Sequence, residues 1–246
     1  MRVLITGIGD AFSIRSFGTS ALIEAPRGQV LLDCPELIHR VLHEATTAAG
    51  WRADVSTIDH IIITHLHGDH CNGLEMFGFL RRHLRSADPT LALPKVHAAQ
   101  SVLDRLWEKL APSMDAPRDG KPSALRDYFQ THPIEPETES HIAGLSLRCR
   151  FTGHPVPTVG LLVSDGESTL GWSGDTPHDP AHIDWLSPAD LIAHESGPAP
   201  NHTPIEALNA LPDSLREKMR LIHLPDDFDP SVTDIRPLKQ GEVVAI

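Results

Sequence analysis

The thirteen residues Ile61-Ile62-Ile63-Thr64-His65-Leu66-His67-Gly68-Asp69-His70-Cys71-Asn72-Gly73 restrict this chain more than any other stretch. Three β-branched residues in a row form a short strand too apolar for a solvent-exposed position, so the strand is expected to be buried. Three histidines and an aspartate follow within six positions. Imidazole nitrogen and carboxylate oxygen are the donors that hold zinc and related divalent ions, about four to an ion. In an extended turn His65 and His67 point the same way, because side chains alternate along an extended backbone, and they can share one ion. Gly68 lets the backbone bend, so Asp69 and His70 can face a second ion.

Other residues of the same types also lie at or near the ends of apolar runs. Asp33 closes Val30-Leu31-Leu32, His154 lies in Thr152-Gly153-His154-Pro155, Asp175 in Ser173-Gly174-Asp175-Thr176, and His223 ends Leu221-Ile222-His223. The pattern Thr-His-x-His-x-Asp-His at 64–70, with these pieces in order, resembles the metallo-β-lactamase superfamily. The resemblance implies an α+β fold, a four-layer αββα sandwich. It implies one metal held by His65, His67 and His154, another held by Asp69, His70 and His223, and Asp175 bridging them. In that pattern Asp33 orders the metal loop by hydrogen bonding and is not a ligand. Zinc is the default ion; manganese or iron also suits a mixed His/carboxylate site.

Two further stretches narrow the resemblance to the ribonuclease Z-like phosphodiesterase branch. The chain opens with a Gly-x-Gly-x-Ala-Phe loop at 7–12, and a strand pair then ends in Leu31-Leu32-Asp33-Cys34. Ala189-Asp190-Leu191-Ile192-Ala193-His194-Glu195 resembles the branch's Asp-Leu-x-x-His-Glu motif, and Asn201-His202-Thr203-Pro204 its His-x-Thr motif. The branch usually continues Ala-Thr after His-Glu, whereas here Ser196-Gly197 follows. By this resemblance His194 protonates the leaving oxygen, Glu195 holds its ring, and His202 and Thr203 belong to the substrate-binding segment. A metal-bridging hydroxide is the expected nucleophile, and Asp69 helps to orient it.

Only 20 residues separate His154 from Asp175 (175 − 154 − 1), too few for the transfer-RNA-gripping arm that this interval carries in ribonuclease Z. The net charge of −12 also disfavours a long nucleic acid, whose binding rests on a basic surface. A small anionic phosphodiester, such as a cyclic nucleotide or a short oligonucleotide, is the expected substrate. Carboxyl ester, lactone or thioester hydrolysis with the same metals is the alternative, and His194-Glu195 counts against it. A non-catalytic metal-dependent binding protein is the third reading.

No linker or charge block divides residues 1–246, so a single hydrolase domain is expected. Three cysteines without a metal-type or redox pairing, no leader-like opening and no apolar run of transmembrane length suggest a cytoplasmic protein that meets no membrane. The superfamily branch often dimerises, so a homodimer is compatible with it. Strands are expected at 1–7, 20–24, 29–33, 91–97, 145–152, 159–163 and 169–173. Helices are expected from Pro35, with Leu37, Ile38, Val41, Leu42 and Ala45 as its apolar stripe, from near Asn72 and from about Ala99. A polar loop at 115–122 and a short helix at 124–129 that helps wall the pocket complete the scheme. No chemistry is assigned to His39, His43, His97, His132 or His141.

Overall fold

The computed structural model describes residues 1–115, 120–136 and 138–246. Strands β1 (Arg2–Gly7), β2 (Ser20–Ala25) and β3 (Gly28–Leu32) run antiparallel, and the β2–β3 turn falls at Pro26-Arg27-Gly28 as its turn chemistry predicts. Helix α1 (Ile38–Ala49) follows. It begins three residues later than Pro35 suggests, because Leu37 takes a left-handed φ of 56° and stands 52% exposed, off the stripe. Ile38, Val41, Leu42 and Ala45 are buried as their spacing predicts, and His39 and His43 face solvent.

Strand β4 (His60–Ile62) leads into a one-turn helix, α2 (Gly68–Cys71), and the long helix α3 (Gly73–Ala87). Strand β5 (Lys95–Ala99), helix α4 (Gln100–Met114) and strand β6 (Gln130–Ile134) come next. Strands β3 to β6 are parallel, with helices as crossovers. Strand β6 is absent from the sequence scheme because Pro133 reads against a strand; at the edge of a sheet a missing N–H is tolerated. Of the polar loop expected at 115–122, residues 116–119 lie outside the described residues. The turn of 3₁₀ helix at Leu125–Asp127 packs by Trp107 and Thr131, and the metal-type residues are not its neighbours there, so it does not wall the pocket as expected.

The second sheet holds β7 (Ser140–Ile142), β8 (Leu145–Phe151), β9 (Val159–Ser164), β10 (Thr169–Trp172), β11 (Leu191–Glu195) and β12 (Met219–Ile222). Its order is β12-β11-β10-β9-β8-β7. The short helices α5 (Pro180–Leu186), α6 (Ile205–Asn209) and α7 (Asp213–Arg216) lie among these strands in the chain. The last strand, β13 (Val243–Ala245), returns to pair with β1, so the first sheet reads β13-β1-β2-β3-β4-β5-β6.

The larger core cluster joins Leu4, Leu22 and Leu31 of the first sheet to Leu147, Leu161 and Trp172 of the second. Ile183, Leu186 and Leu208 cover the second sheet's other face over Leu162, Ile192 and Leu221. With α1, α3 and α4 on the first sheet, the layers are helix, sheet, sheet, helix, the αββα sandwich expected. Strand β9 is antiparallel to both neighbours, while β10, β11 and β12 are parallel, so β8, β10, β11 and β12 all point one way. Their ends meet the ends of β3 and β4, where the Val159 N–H donates to Thr64 O at 3.2 Å. The metal-type residues follow these strand ends.

Candidate metal centre

Asp33, just past β3, is fully buried with a φ of 57°. Its carboxylate accepts the Thr64 N–H at 2.8 Å and the Thr64 hydroxyl at 2.9 Å, and lies 2.8 Å from His70 Nδ1. Donation from Nδ1 leaves the His70 Nε2 lone pair free to ligate, the arrangement in which an outer carboxylate orients a metal-binding imidazole. Thr64 also places its hydroxyl 3.0 Å from His65 Nδ1, and the carbonyl of Asn201 lies 3.2 Å from His154 Nδ1. The Nε2 atoms of all three rings then face a common centre.

The seven metal-type residues named from the sequence come together there. Ligand atoms of His65, His67, His154 and Asp175 lie within 4.8 Å of one another, as do those of Asp69, His70 and His223. Asp175 stands between the two groups. Its Oδ1 is 3.4 Å from His70 Nε2, and its Oδ2 is 3.6 Å from His65 Nε2, 3.8 Å from His154 Nε2 and 3.5 Å from His223 Nε2. Asp69 Oδ2 is 3.2 Å from both His70 Nε2 and His223 Nε2, and His67 Nδ1 is 3.1 Å from His154 Nε2.

These side chains fit divalent metal. Two nitrogen ligands at about 2.0–2.1 Å from one tetrahedral ion stand roughly 3.3 Å apart, the range of the gaps above. The buried His65 Nε2 has no hydrogen-bond partner among the described residues, an atom aimed at the cluster with its lone pair unused. Burial, and then the charge of His70, holds His65 well below the ordinary imidazole range, and burial lowers His67 and His154, so these rings are neutral and able to ligate. Burial alone would raise Asp69 and Asp175, but the surrounding imidazoles outweigh it and hold both carboxyls well below the usual carboxylate range. His70 and His223 are raised against the effect of burial by Asp175 and its neighbours, a field that also favours a cation.

Beside this cluster the structure does not place His194 where the sequence reading expects it. His194 and Glu195 are consecutive on β11, so they point to opposite faces. His194 is wholly buried, its Nδ1 lies 2.7 Å from the Glu195 carbonyl, and burial pushes its pKa down to about 4. It does not reach the centre. The ring that Glu195 holds is His202, with Nδ1 3.2 Å from Glu195 Oε1, and this contact raises the His202 pKa despite partial burial. His202 lies against His154 and His223, with ring centroids 5.4 and 5.1 Å away, and groups with Asp175 and His223 within 4.8 Å. It does not cap a helix: α6 begins at Ile205 after Pro204, without a side-chain cap. Thr203 is also corrected. It is wholly buried, its N–H donates to Glu195 Oε1 at 3.2 Å and its hydroxyl to Thr176 O at 3.0 Å, so it braces Glu195 and does not face a substrate. The His-x-Thr motif was the sequence signal for the His202 position.

Two facing sheets with helices outside, and a His/Asp cluster at their strand ends, define a protein of the metallo-β-lactamase fold. The solved structure of YhfI, a metallo-β-lactamase-fold protein from Bacillus subtilis, superposes with a TM-score of 0.79 over 99% of both chains at 16% identity. Human tRNase Z, short form, superposes at 0.71 over 100% of this chain and 99% of its own at 17% identity. The family model described as Anti-Pycsar protein Apyc1 matches residues 1–242, and the chain belongs to that family.

Anti-Pycsar protein Apyc1 from Paenibacillus sp. (strain J14) is 27% identical over 93% of this chain and 91% of its own length. The cGMP-dependent 3′,5′-cGMP phosphodiesterase A of Dictyostelium discoideum is 24% identical over 97% of this chain. The chain spans 27% of that enzyme's length, and 18% of the related Dictyostelium phosphodiesterase B. Among the described residues no helix is long and apolar enough to cross a membrane.

Proposed function

We propose that residues 1–246 act as one hydrolase domain that opens a 3′,5′-cyclic nucleotide or a similarly small phosphodiester with two divalent metal ions, zinc by default. The observation that carries the reading is the position of Asp175 between the two groups, with its Oδ2 3.6 Å from His65 Nε2 and 3.5 Å from His223 Nε2 and its Oδ1 3.4 Å from His70 Nε2. The names of the Dictyostelium and Paenibacillus relatives support the substrate class.

In this reading His65, His67 and His154 would hold one ion and Asp69, His70 and His223 the other, with Asp175 available to both. Ions bound there supply an acidified water and neutralise charge on the phosphoryl oxygens. His202 stands at the rim of the cluster and delivers a proton to the departing oxygen, while Glu195 fixes its ring through Nδ1 and leaves Nε2 as the donor. Thr176 and Thr203 donate their N–H groups to Glu195 Oε1 and keep that carboxylate in place. The imidazoles of His70 and His223 hold Asp69 as a carboxylate beside the reacting group, where it orients the nucleophile.

The reading includes a cytoplasmic location, supported by three free cysteines, and a homodimer, supported by Phe12 and Ile14 standing 90% exposed. Light scattering of the purified protein tests the dimer. The main test is hydrolysis of cyclic nucleotides to linear nucleoside monophosphates by zinc- or manganese-loaded protein. Absence of turnover on these and on bis(p-nitrophenyl) phosphate, by protein carrying two metals, would overturn the reading.

A further inference from the structure

A groove of about 310 Å³ is lined in part by residues that neighbour the candidate ligands in the chain. It lies between the turn that carries His65 and His67, the loop after His154, and the first turns of α4. Leu66, Val102, Val156 and Pro157 make its apolar lining, and Ser101, Arg105, Glu108 and Lys109 supply its polar groups. Two of its lining residues are close in the chain to candidate ligands. Leu66 sits between two candidate ligands and Val156 follows His154 by two residues, a span of at most about 7 Å of chain. Arg105 and Lys109 are one helical turn apart and share a face of α4. The Ser101 hydroxyl is buried without a hydrogen-bond partner among the described residues, so it has both a donor and an acceptor to offer an occupant.

We propose that this groove seats the nucleobase of the substrate and selects bases by their hydrogen-bond acceptors. The inference rests on the phosphodiesterase reading, since it takes the phosphate to be held at the metal centre. A nucleobase is a flat plate with apolar faces and a polar edge. Leu66, Val156 and Pro157 suit the faces; Ser101 and Arg105 suit the edge. A guanidinium only donates, in a planar fork, so it pairs best with two adjacent acceptors. Guanine offers O6 with N7, and cytosine O2 with N3, whereas each ring nitrogen on adenine's amino-bearing edge stands beside a donor. A second phosphate fits less well, because Glu108 sits between the two cations in the chain and halves their charge. The groove therefore favours guanine and cytosine nucleotides over adenine nucleotides.

The test compares kcat/KM for 3′,5′-cyclic GMP, CMP and AMP with that for methyl p-nitrophenyl phosphate, which has no base, in wild type, Arg105→Ala and Val156→Asp. Cyclic GMP or CMP is expected to exceed cyclic AMP by about tenfold or more, the discrimination of one good arginine–base pair. Arg105→Ala should remove that preference through KM, and Val156→Asp should lower kcat/KM for all three nucleotides relative to the base-free ester. A preference unchanged in both variants overturns the inference. Should the wild type turn over no phosphodiester, the catalytic reading fails, and NMR titration with guanosine decides on the groove separately. Shifts that vanish in Arg105→Ala support it, and no binding overturns it.

Discussion

Glu195 Oε1 lies 3.2 Å from His202 Nδ1, while the neighbouring residue on the same strand, His194, turns away and bonds the Glu195 carbonyl. A residue seven positions along the chain, and not the adjacent one, therefore carries the imidazole beside the metal centre.

This arrangement separates two variants that look alike in sequence. His202→Ala is expected to lower kcat on cyclic nucleotides by about 10²–10⁴-fold, the usual worth of a general acid. The loss should be smaller on bis(p-nitrophenyl) phosphate, whose nitrophenolate leaves without a proton. His194→Gln should reduce stability and leave kcat per folded molecule close to wild type. Equal losses in the two variants on both substrates would refute the assignment.

Asp33 touches no substrate, but it holds Thr64 and His70 together through three hydrogen bonds. Asp33→Asn is expected to weaken metal binding by about 10–100-fold, because it lets the His70 ring rotate and lowers its basicity. Competition with a chromogenic chelator measures the affinity, and an unchanged value would remove Asp33 from the centre.

Metal bound to the folded state alone stabilises it by about 2.7 kcal/mol at a free concentration 100 times Kd. Denaturant unfolding with zinc should therefore show a higher midpoint than unfolding in chelator, and Asp175→Asn should abolish most of the difference. An equal midpoint in the wild type under both conditions would argue against a metal site in the native fold.

A different set of histidines also contributes to the response to acid. His60, His97 and His132 stack across β4, β5 and β6, with centroids 5.3 and 5.2 Å apart, and His60 Nδ1 lies 3.0 Å from His97 Nε2. Burial first, then the charges of His60, His132 and Lys95, lowers His97 from its ordinary 6.5 to about 3. The native state thus refuses a proton that the unfolded chain accepts, so stability is complete above pH 6.5 and falls as pH drops towards 3. The slope from this residue is at most about 1.4 kcal/mol per pH unit. Urea unfolding between pH 7 and 4.5 should show it, and His97→Gln should flatten the curve.

Several features were readable because they depend on near neighbours. The β2–β3 turn follows from Pro26-Arg27-Gly28, the buried face of α1 from apolar spacing, and the meeting of the candidate ligands from metal-type residues at or near the ends of apolar runs. The start of α1 was misplaced because the left-handed turn at Leu37 has no composition signal. Strand β6 was hidden by Pro133, which is tolerated only because the strand is at an edge. The groove joins residues near 66, 105 and 156, and no local pattern marks such a meeting.

The sequence by itself determined that a buried strand would deliver His65, His67, Asp69 and His70 to one place, since donor chemistry and backbone alternation act over a few residues. That His194 and Glu195 point in opposite directions follows from their being consecutive on β11, which the sequence reading, with Glu195 holding the His194 ring, does not use. Which of the two faces the centre was decided only by tertiary structure. Every residue of β11 is buried, so alternation carries no inside-outside signal there. The choice depends on what covers each side of the strand: Glu195 meets His202, Thr203 and Thr176, while His194 is shut away on the opposite face, with His182 among its neighbours.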